Sequence, residues 1–474
     1  MQLQTKTEIK SLGEKSSHTS KIQTKLALPD VFLRGIKNIL GNEIDDFVNA
    51  LNVETPVSLR INPDKYTEIV GNENVKWCNS GMYLPQRISF TLDPDFHAGA
   101  YYIQEASSMF LEQVIQQYFP DKNKIIALDL CAAPGGKSTH LLSLLPENSL
   151  LVANDTVRSR AKILYENIVK WGHSNAVVTS NDPKYFLSLS GFFDLILVDA
   201  PCSGEGMFRK DANAIKEWSI DNVKLCAERQ RRILTDVWSA LKPGGLLIYC
   251  TCTYNIEENE ANVKRMINTF NAKSLPVTTK PEWQISENLV PDIFSYRFYP
   301  HKTKGEGFCL SVMCKNSDNN NSDKQKENRS QQNIPKKLNF VRQYLRNSEK
   351  YNFIINNYIV KALPKEFADE INVIFRRLRC LSTGFTIGTV KGNDFVPSHA
   401  LAMSVDLNTE EFAKINIDKH SALKFLHKDN ILFDCKTSGY NLVCCNNNAL
   451  GWIKNIGVRT NNLYPPEWRI LMDV

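Results

Sequence analysis

No two of the twelve cysteines in this 474-residue chain stand as a C-x-x-C pair. Zinc ribbons and fingers draw their ligands from such pairs, so no metal is expected. There is no run of about 18 apolar residues, so no membrane-spanning helix is expected. Met1 to Lys25 is polar and rich in Lys, Ser and Thr, without the apolar core of a signal peptide. Free thiols in an unexported chain point to a reducing cytoplasm. Charge of one sign is also scarce. The net value of +6 is a mild basic bias, compatible with nucleic acid but shared by many proteins that never touch it. Neither G-x-G-x-x-G nor G-x-x-x-x-G-K-[ST] occurs, so neither a dinucleotide nor a nucleoside triphosphate is indicated. No internal repeat is present.

What is there begins with a leader, residues 1–26, followed by helical spacing at Val31, Phe32, Ile36, Ile39 and Leu40. A strand-like Val57–Asn62 and an irregular stretch to about Asp95 complete a small α+β module. From Lys124 strands and helices alternate. Strand-like runs lie at Ile125–Leu130, Leu150–Ala153, Ala176–Val178, Leu195–Val198 and Leu246–Cys250. Helical stretches lie at Lys137–Leu145, Val157–Trp171, within Ala214–Leu241, and at Glu257–Phe270. This β-α-β repetition predicts an α/β fold, a doubly wound and mainly parallel sheet of Rossmann-like type. Tyr296–Tyr299 and Phe308–Cys314 add two last strands. Between Asn316 and Asn333 there is no strongly apolar side chain, which reads as a disordered linker. Residues from about Leu338 to Val474 regain aromatics and alternation, enough for one or two small domains.

The first strand of the repeat runs into Cys131-Ala132-Ala133-Pro134-Gly135-Gly136-Lys137. Small residues let the backbone approach a ligand, and the helix N–H groups beyond point at it. A plain glycine turn is the simpler reading of Gly-Gly alone. Strand two ends at Asp155, about 20 residues past the glycines, where an acidic residue can accept both ribose hydroxyls. Capping the next helix is an equally good local explanation. Asp182, after strand three, could meet an adenine amino group or form an Asx turn before Pro183. Together these positions favour an adenosyl cofactor without a phosphate cradle, and S-adenosyl-L-methionine fits.

Two cysteines close the remaining strands: Cys202 in Asp199-Ala200-Pro201-Cys202, and Cys252 in Thr251-Cys252-Thr253. Both should overhang the reactive end of the cofactor. The C5 atom of cytosine is too electron-poor to attack a methyl sulfonium. A thiolate adding at C6 makes C5 an enamine-like nucleophile, and a carboxylic acid near N3, such as Asp199, can stabilise the adduct. Most cysteines are buried small hydrophobes, the reading given to Cys78, Cys226, Cys309, Cys380, Cys435, Cys444 and Cys445. Cys250 competes with Cys252, because strand period two puts both on one face.

With these residues in view, the chain resembles the Nop/Sun-type (RsmB/RsmF) RNA cytosine-C5 methyltransferases. Cys131–Lys137, Asp199–Gly204 and Thr251–Thr253 carry the likeness. It is supported by Tyr102–Met109, Gly204–Phe208 and Glu257–Glu260, and it covers about residues 27–315. The resemblance implies Cys252 as nucleophile, Cys202 as the group that helps release product, and cofactor contacts from Cys131 to Lys137, Asp155, Asp182 and Asp199. Toward the C-terminus, Pro397–Met403, Gly451–Asn455 and Asn461–Arg469 resemble the tail of RsmF-type enzymes, which act on 16S ribosomal RNA and carry a PUA-like RNA-binding module. Trp452 with Lys454, and Trp468 with Arg469, either stack unpaired bases or fill that module's core.

The organisation expected is therefore a flexible leader (1–26), an N-terminal α+β RNA-binding module (27–95) and a methyltransferase domain (96–315). A linker (316–336) and a C-terminal RNA-binding region with a PUA-like module (337–474) follow. The expected partner is RNA, 16S rRNA or the small ribosomal subunit, met by a cytoplasmic monomer without metal or membrane. The alternatives are the same chemistry on transfer RNA, or a non-catalytic ribosome-assembly factor that keeps the fold.

Overall fold

Phe32 and Ile36, one helical turn apart, pin the helix Asp30–Leu40 onto a cluster that includes Phe47, Phe208, Tyr254 and Tyr299. The computed structural model describes residues 26–69, 71–120, 124–317, 334–392, 394–431, 433–435 and 437–474. The expected leader up to residue 25, and positions 318–333 of the expected linker, lie outside the described residues.

Strands β1 (Val57–Ile61), β2 (Glu73–Asn74), β3 (Gly81–Leu84) and β4 (Tyr101–Ile103) form an antiparallel sheet of order β2-β3-β1-β4. The expected module boundary at residue 95 falls inside this sheet, since Leu59, Arg60 and Ile61 of β1 pair with β4. A three-residue strand carries too little alternation to be read from sequence.

The main sheet contains β5 (Ile125–Asp129), β6 (Ser149–Asn154), β7 (Ala176–Thr179), β8 (Phe193–Asp199) and β9 (Leu241–Thr251), parallel in the order β9-β8-β5-β6-β7. Then come β10 (Lys273–Leu275), β11 (Ser286–Glu287), β12 (Tyr296–Phe298) and β13 (Phe308–Cys314). These run antiparallel, β13 on β9 and β12 on β13. The strand order reverses between β5 and β8, the position where doubly wound sheets open a crevice at their carboxyl ends. Alternate residues feed two cores. Ala127, Leu151 and Leu197 face one side, and Leu128, Val152 and Ile196 face the other, so each strand is apolar throughout.

Beyond residue 334 come β14 (Tyr351–Asn356), β15 (Ile359–Pro364), β16 (Cys380–Thr383), β17 (Phe385–Lys391) and β18 (Asp394–Pro397). Four of them make a sheet of order β14-β15-β17-β18. β16 leaves it and joins the main sheet, antiparallel to β7. Phe367, Ile371, Ile374 and Leu378, on and beside the helix Ala368–Arg377, complete the core that holds Leu128 and Ile196. This part of the chain shares a core with the main sheet. Its apolar spacing is equally that of a small domain's own core, which is why sequence alone separates it. The final sheet is β19 (Ala413–Asn416), β20 (Gly439–Cys445), β21 (Asn448–Asn455) and β22 (Thr460–Asn462), in that order.

Candidate active site

The loop after β5 is anchored from several sides. Ala132 N–H donates to Asn154 O at 2.8 Å, Arg160 reaches Ala133 O at 2.9 Å, and Asn167 reaches Pro134 O at 2.8 Å. Gly135 sits at φ +118°, where other residues are strained, just before the helix Gly136–Leu144. From the N-terminal module, the buried Arg60 guanidinium donates to Gln104 Oε1, Thr139 Oγ1 and Gly136 O. The helix start is therefore fixed.

Asp129, at the end of β5, is fully buried. Ser138 donates to its Oδ2 at 2.6 Å, and its Oδ1 has no partner. Burial pushes its carboxyl up to about 7, against the pull of the Ser138 hydroxyl. Asp155 accepts from Val157 N–H at 2.9 Å and lies 3.4 Å from Arg160. Asp182 accepts from Lys184 N–H and pairs with Arg232 at 3.0 Å, so its Asx turn is formed. Asn154 and Thr156 both donate to Asn181 O, which ties the ends of β6 and β7 together.

The register Asp199↔Cys250 between β8 and β9 brings the following residues out side by side. Cys202 Sγ and Cys252 Sγ are 3.0 Å apart, and Cys252 N–H points at Cys202 Sγ at 3.3 Å. The hydrogen bond to Cys252, with burial behind it, raises the Cys202 thiol well above its ordinary value. Cys250 is fully buried among Ile248 and Leu310, and burial raises its thiol as well. Cys252 lies past the last residue of β9 and is half-buried, whereas Cys250 is core. Lys137 donates to Asp199 Oδ2 at 2.7 Å. Burial alone would lower the Lys137 ammonium, but the Asp199 carboxylate outweighs it and holds the pKa above the ordinary value.

Two carboxylates without an expected role brace the thiols. Glu205 Oε2 accepts from Thr253 Oγ1 at 2.6 Å, Tyr254 N–H at 2.8 Å and Asn255 N–H at 3.0 Å; its Oε1 accepts from Trp218. Glu258 accepts from Ser203 N–H, Gln230 and Asn255. A Cβ on Gly206 would come within 2.3 Å of Gly307 O, so this turn passes only glycine. The signal available in sequence was a charged residue inside the small-residue loop Ser203-Gly204-Glu205-Gly206.

Among the described residues, Cys78, Glu112 and His140 form the one group of three placed to hold a metal ion. Glu112 already accepts from Asn79 N–H, Gln116 and His140, and burial holds the His140 ring down to about 4. These contacts account for the group as a buried hydrogen-bonded cluster. In the C-terminal sheet Trp452 is buried and donates to Ser398 O at 2.7 Å, so it fills the core. Trp468 packs edge-on to His399.

The description "16S rRNA methyltransferase RsmB/F" matches residues 117–314. The N-terminal domain of 16S rRNA methyltransferase RsmF matches 28–106, the RsmF first C-terminal domain 339–405, and the RsmF PUA domain 412–470. The ribosomal RNA small subunit methyltransferase F of Shewanella oneidensis is 30% identical over 412 residues, 83% of this chain and 85% of that one. That of Aliivibrio fischeri strain MJ11 is 34% identical over 61% of this chain, and the alignment spans 64% of the relative. A solved methyltransferase homologue from Pyrococcus horikoshii superposes at TM-score 0.53 with 27% identity, covering 61% of this chain and 96% of its own. S-adenosylmethionine is the cofactor, and the residues present fit it. The unpartnered Asp129 Oδ1, the loop held open by Gly135, and Asp155 at the next strand end offer acceptors for an ammonium and for ribose hydroxyls. The chain belongs to the RsmB/F 16S rRNA methyltransferase family, in its RsmF branch.

Proposed function

We propose that the protein is an RNA (cytosine-C5) methyltransferase acting on 16S rRNA of the small ribosomal subunit, through a covalent bond between Cys252 and C6 of the target base. The observation that carries this reading is the pair of thiols 3.0 Å apart at adjoining strand ends, beside Lys137 and Asp199. Bound S-adenosylmethionine supplies an electrophilic methyl group. Cys131–Lys137, Asp155 and Asp182 are assigned to holding it. The target base is extruded into the crevice beside β8 and β9.

Cys252 adds as thiolate to C6, and the π pair of the C5–C6 double bond moves through C4 toward N3, leaving C5 enamine-like. Asp199 meets the N3 edge, with the Lys137 ammonium behind it to supply a proton and its field. C5 then takes the methyl group. Cys202 begins protonated because the neighbouring sulfur and burial raise its pKa. Once Cys252 is a thioether, the hydrogen bond that raised Cys202 is gone, so the Cys202 thiol ionises more readily and gives its proton to solvent. As a thiolate Cys202 takes the C5 proton, the C5–C6 double bond re-forms, Cys252 leaves as thiolate, and N3 returns its borrowed proton to the Asp199–Lys137 pair. No step needs a metal, because the thiol activates the base. A cytoplasmic setting belongs to this proposal; among the described residues no helix is long and apolar enough to cross a membrane. A single chain carries every residue named, and a monomer suffices.

Cys252→Ala should lose methyl transfer while cofactor binding persists; turnover in that variant would refute the assignment. Cys202→Ala should accumulate a protein–RNA adduct that survives a denaturing gel. Bisulfite sequencing of 16S and transfer RNA, from cells with and without the gene, identifies the substrate. A methylcytosine lost from transfer RNA alone would overturn the ribosomal reading.

A further inference from the structure

Asn181 has all of its polar groups engaged, and its side chain faces a different part of the protein from its backbone. The carboxamide Oδ1 accepts from Arg379 N–H at 2.9 Å, and Nδ2 donates to Arg379 O at 3.1 Å. The side chain thus acts as one more peptide unit and extends the β7–β16 ladder by a rung, beside Ser180 N–H, which donates to Arg379 O at 3.0 Å. The backbone of Asn181 faces inward. Its N–H donates to Asn154 Oδ1 at 2.9 Å, and its carbonyl accepts from Asn154 Nδ2 at 3.0 Å. That same Nδ2 donates to Leu130 O at 3.0 Å, while Asn154 O accepts from Ala132 N–H at 2.8 Å. An unbroken hydrogen-bonded path therefore runs from the C-terminal region, through Asn181 and Asn154, to the loop 131–137. All three asparagine and loop positions are buried or nearly so, where partners cannot be exchanged for water without cost.

We propose that Asn181 is a positioning residue for the cofactor, which makes the adenine side of the seat depend on the docked C-terminal region. Asn181 itself touches no reacting atom. Because Asp182 follows it directly, the rung with Arg379 sets where that carboxylate sits, and the Asn154 bonds set the height of the loop against β6. The assignment rests on the cofactor seat proposed above. Arg379 takes part only through its backbone, so its side chain is dispensable for this purpose.

Titration calorimetry with S-adenosylmethionine tests the inference, using full-length protein whose fold is checked by circular dichroism. Asn181→Ala should raise the dissociation constant on the order of tenfold, the loss of two buried hydrogen bonds. KM for the cofactor should rise with it while kcat stays within about twofold, a split that a general loss of stability does not produce. Hydrogen exchange at residues 129–137 should quicken. Arg379→Pro removes the N–H donor from the other side. Leu378 before it is already extended at ψ 152°, as a residue preceding proline needs to be, and the same weakening is expected. Arg379→Ala should bind as wild type. Folded Asn181→Ala with wild-type affinity would overturn the proposal. Asp155→Ala separates the two levels: if it too binds normally, the seat itself is wrong and the coupling falls with it.

Discussion

Cys250 and Cys252 are two positions apart, and period two would place both on the same face of a continuing strand. The ladder treats them differently. Cys250 is paired on both sides, with Asp199 and with Leu310, whereas β9 ends at Thr251 and Cys252 turns toward Cys202. Cys250→Ala should therefore keep methyl transfer and lose about 1 kcal/mol of stability, the scale of a small core truncation; a dead but folded Cys250→Ala would reverse the two roles. The preference for Cys252 was legible from its place near the strand end between two threonines; where the strand stops, at Thr251, and how deeply Cys250 is buried were not. Asp129 was legible only as the end of a strand. With its folded pKa raised to about 7 from an ordinary 3.8, the native state keeps a proton that the unfolded chain has lost. Its contribution is fully present below about pH 4 and is lost as pH rises to 7. Asp129→Asn keeps the shape and an acceptor for Ser138. Relative to wild type it should gain stability from pH 5 to pH 8 in urea titrations, and a difference that does not change with pH would refute the buried acid.

At the scale of elements, the two loops that carry Cys202 and Cys252 are held by carboxylates rather than by packing alone. Glu205 lies in the loop after β8 and accepts three hydrogen bonds from residues 253–255, directly behind Cys252. Gly206 N–H closes the junction by donating to Cys252 O at 2.9 Å. Glu205→Ala should cost about 2–3 kcal/mol, because several buried donors lose their acceptor together. It should also lower kcat while cofactor affinity holds, since nothing it touches belongs to the cofactor loop. Thermal melts and calorimetry on the same sample check both halves; unchanged kcat would mean that the Cys252 loop positions itself. The parallel strands, their helices and the glycine loop were readable because each signal is local and periodic. The brace was not, because Glu205 and its acceptor-hungry partners lie some fifty positions apart, and only the closing of the sheet makes them neighbours.

For the whole molecule, the C-terminal region has two relations to the catalytic layer, and the 318–333 stretch hides the first of them from sequence. A polar segment is a natural place to divide a chain, yet β16 and the helix Ala368–Arg377 return across it to finish the main sheet. The sheet β19–β22 instead packs one face around Phe425, Leu426 and Ile453, touching the N-terminal module at Ala98, and the other, through Leu442, Cys444 and Trp452, on Phe353, Ala362 and Ile387. Truncation should separate these relations. A chain ending at residue 333 uncovers the face that packs on Leu363, Phe367, Ile371, Ile374 and Leu378. At 1.5–3 kcal/mol for each buried side chain the loss is on the order of 10 kcal/mol, comparable to the net stability of a whole domain. That chain should be unfolded or aggregated, and it should not bind cofactor. A chain ending at residue 411 keeps β16 and the Asn181 rung while losing the part that matches the PUA domain. It should bind S-adenosylmethionine within about threefold of the full protein and bind RNA more weakly. Sedimentation and calorimetry on the two chains decide the matter. A soluble 1–333 chain with full cofactor affinity would mean that the returning strand and helix merely lean on the catalytic sheet instead of completing it.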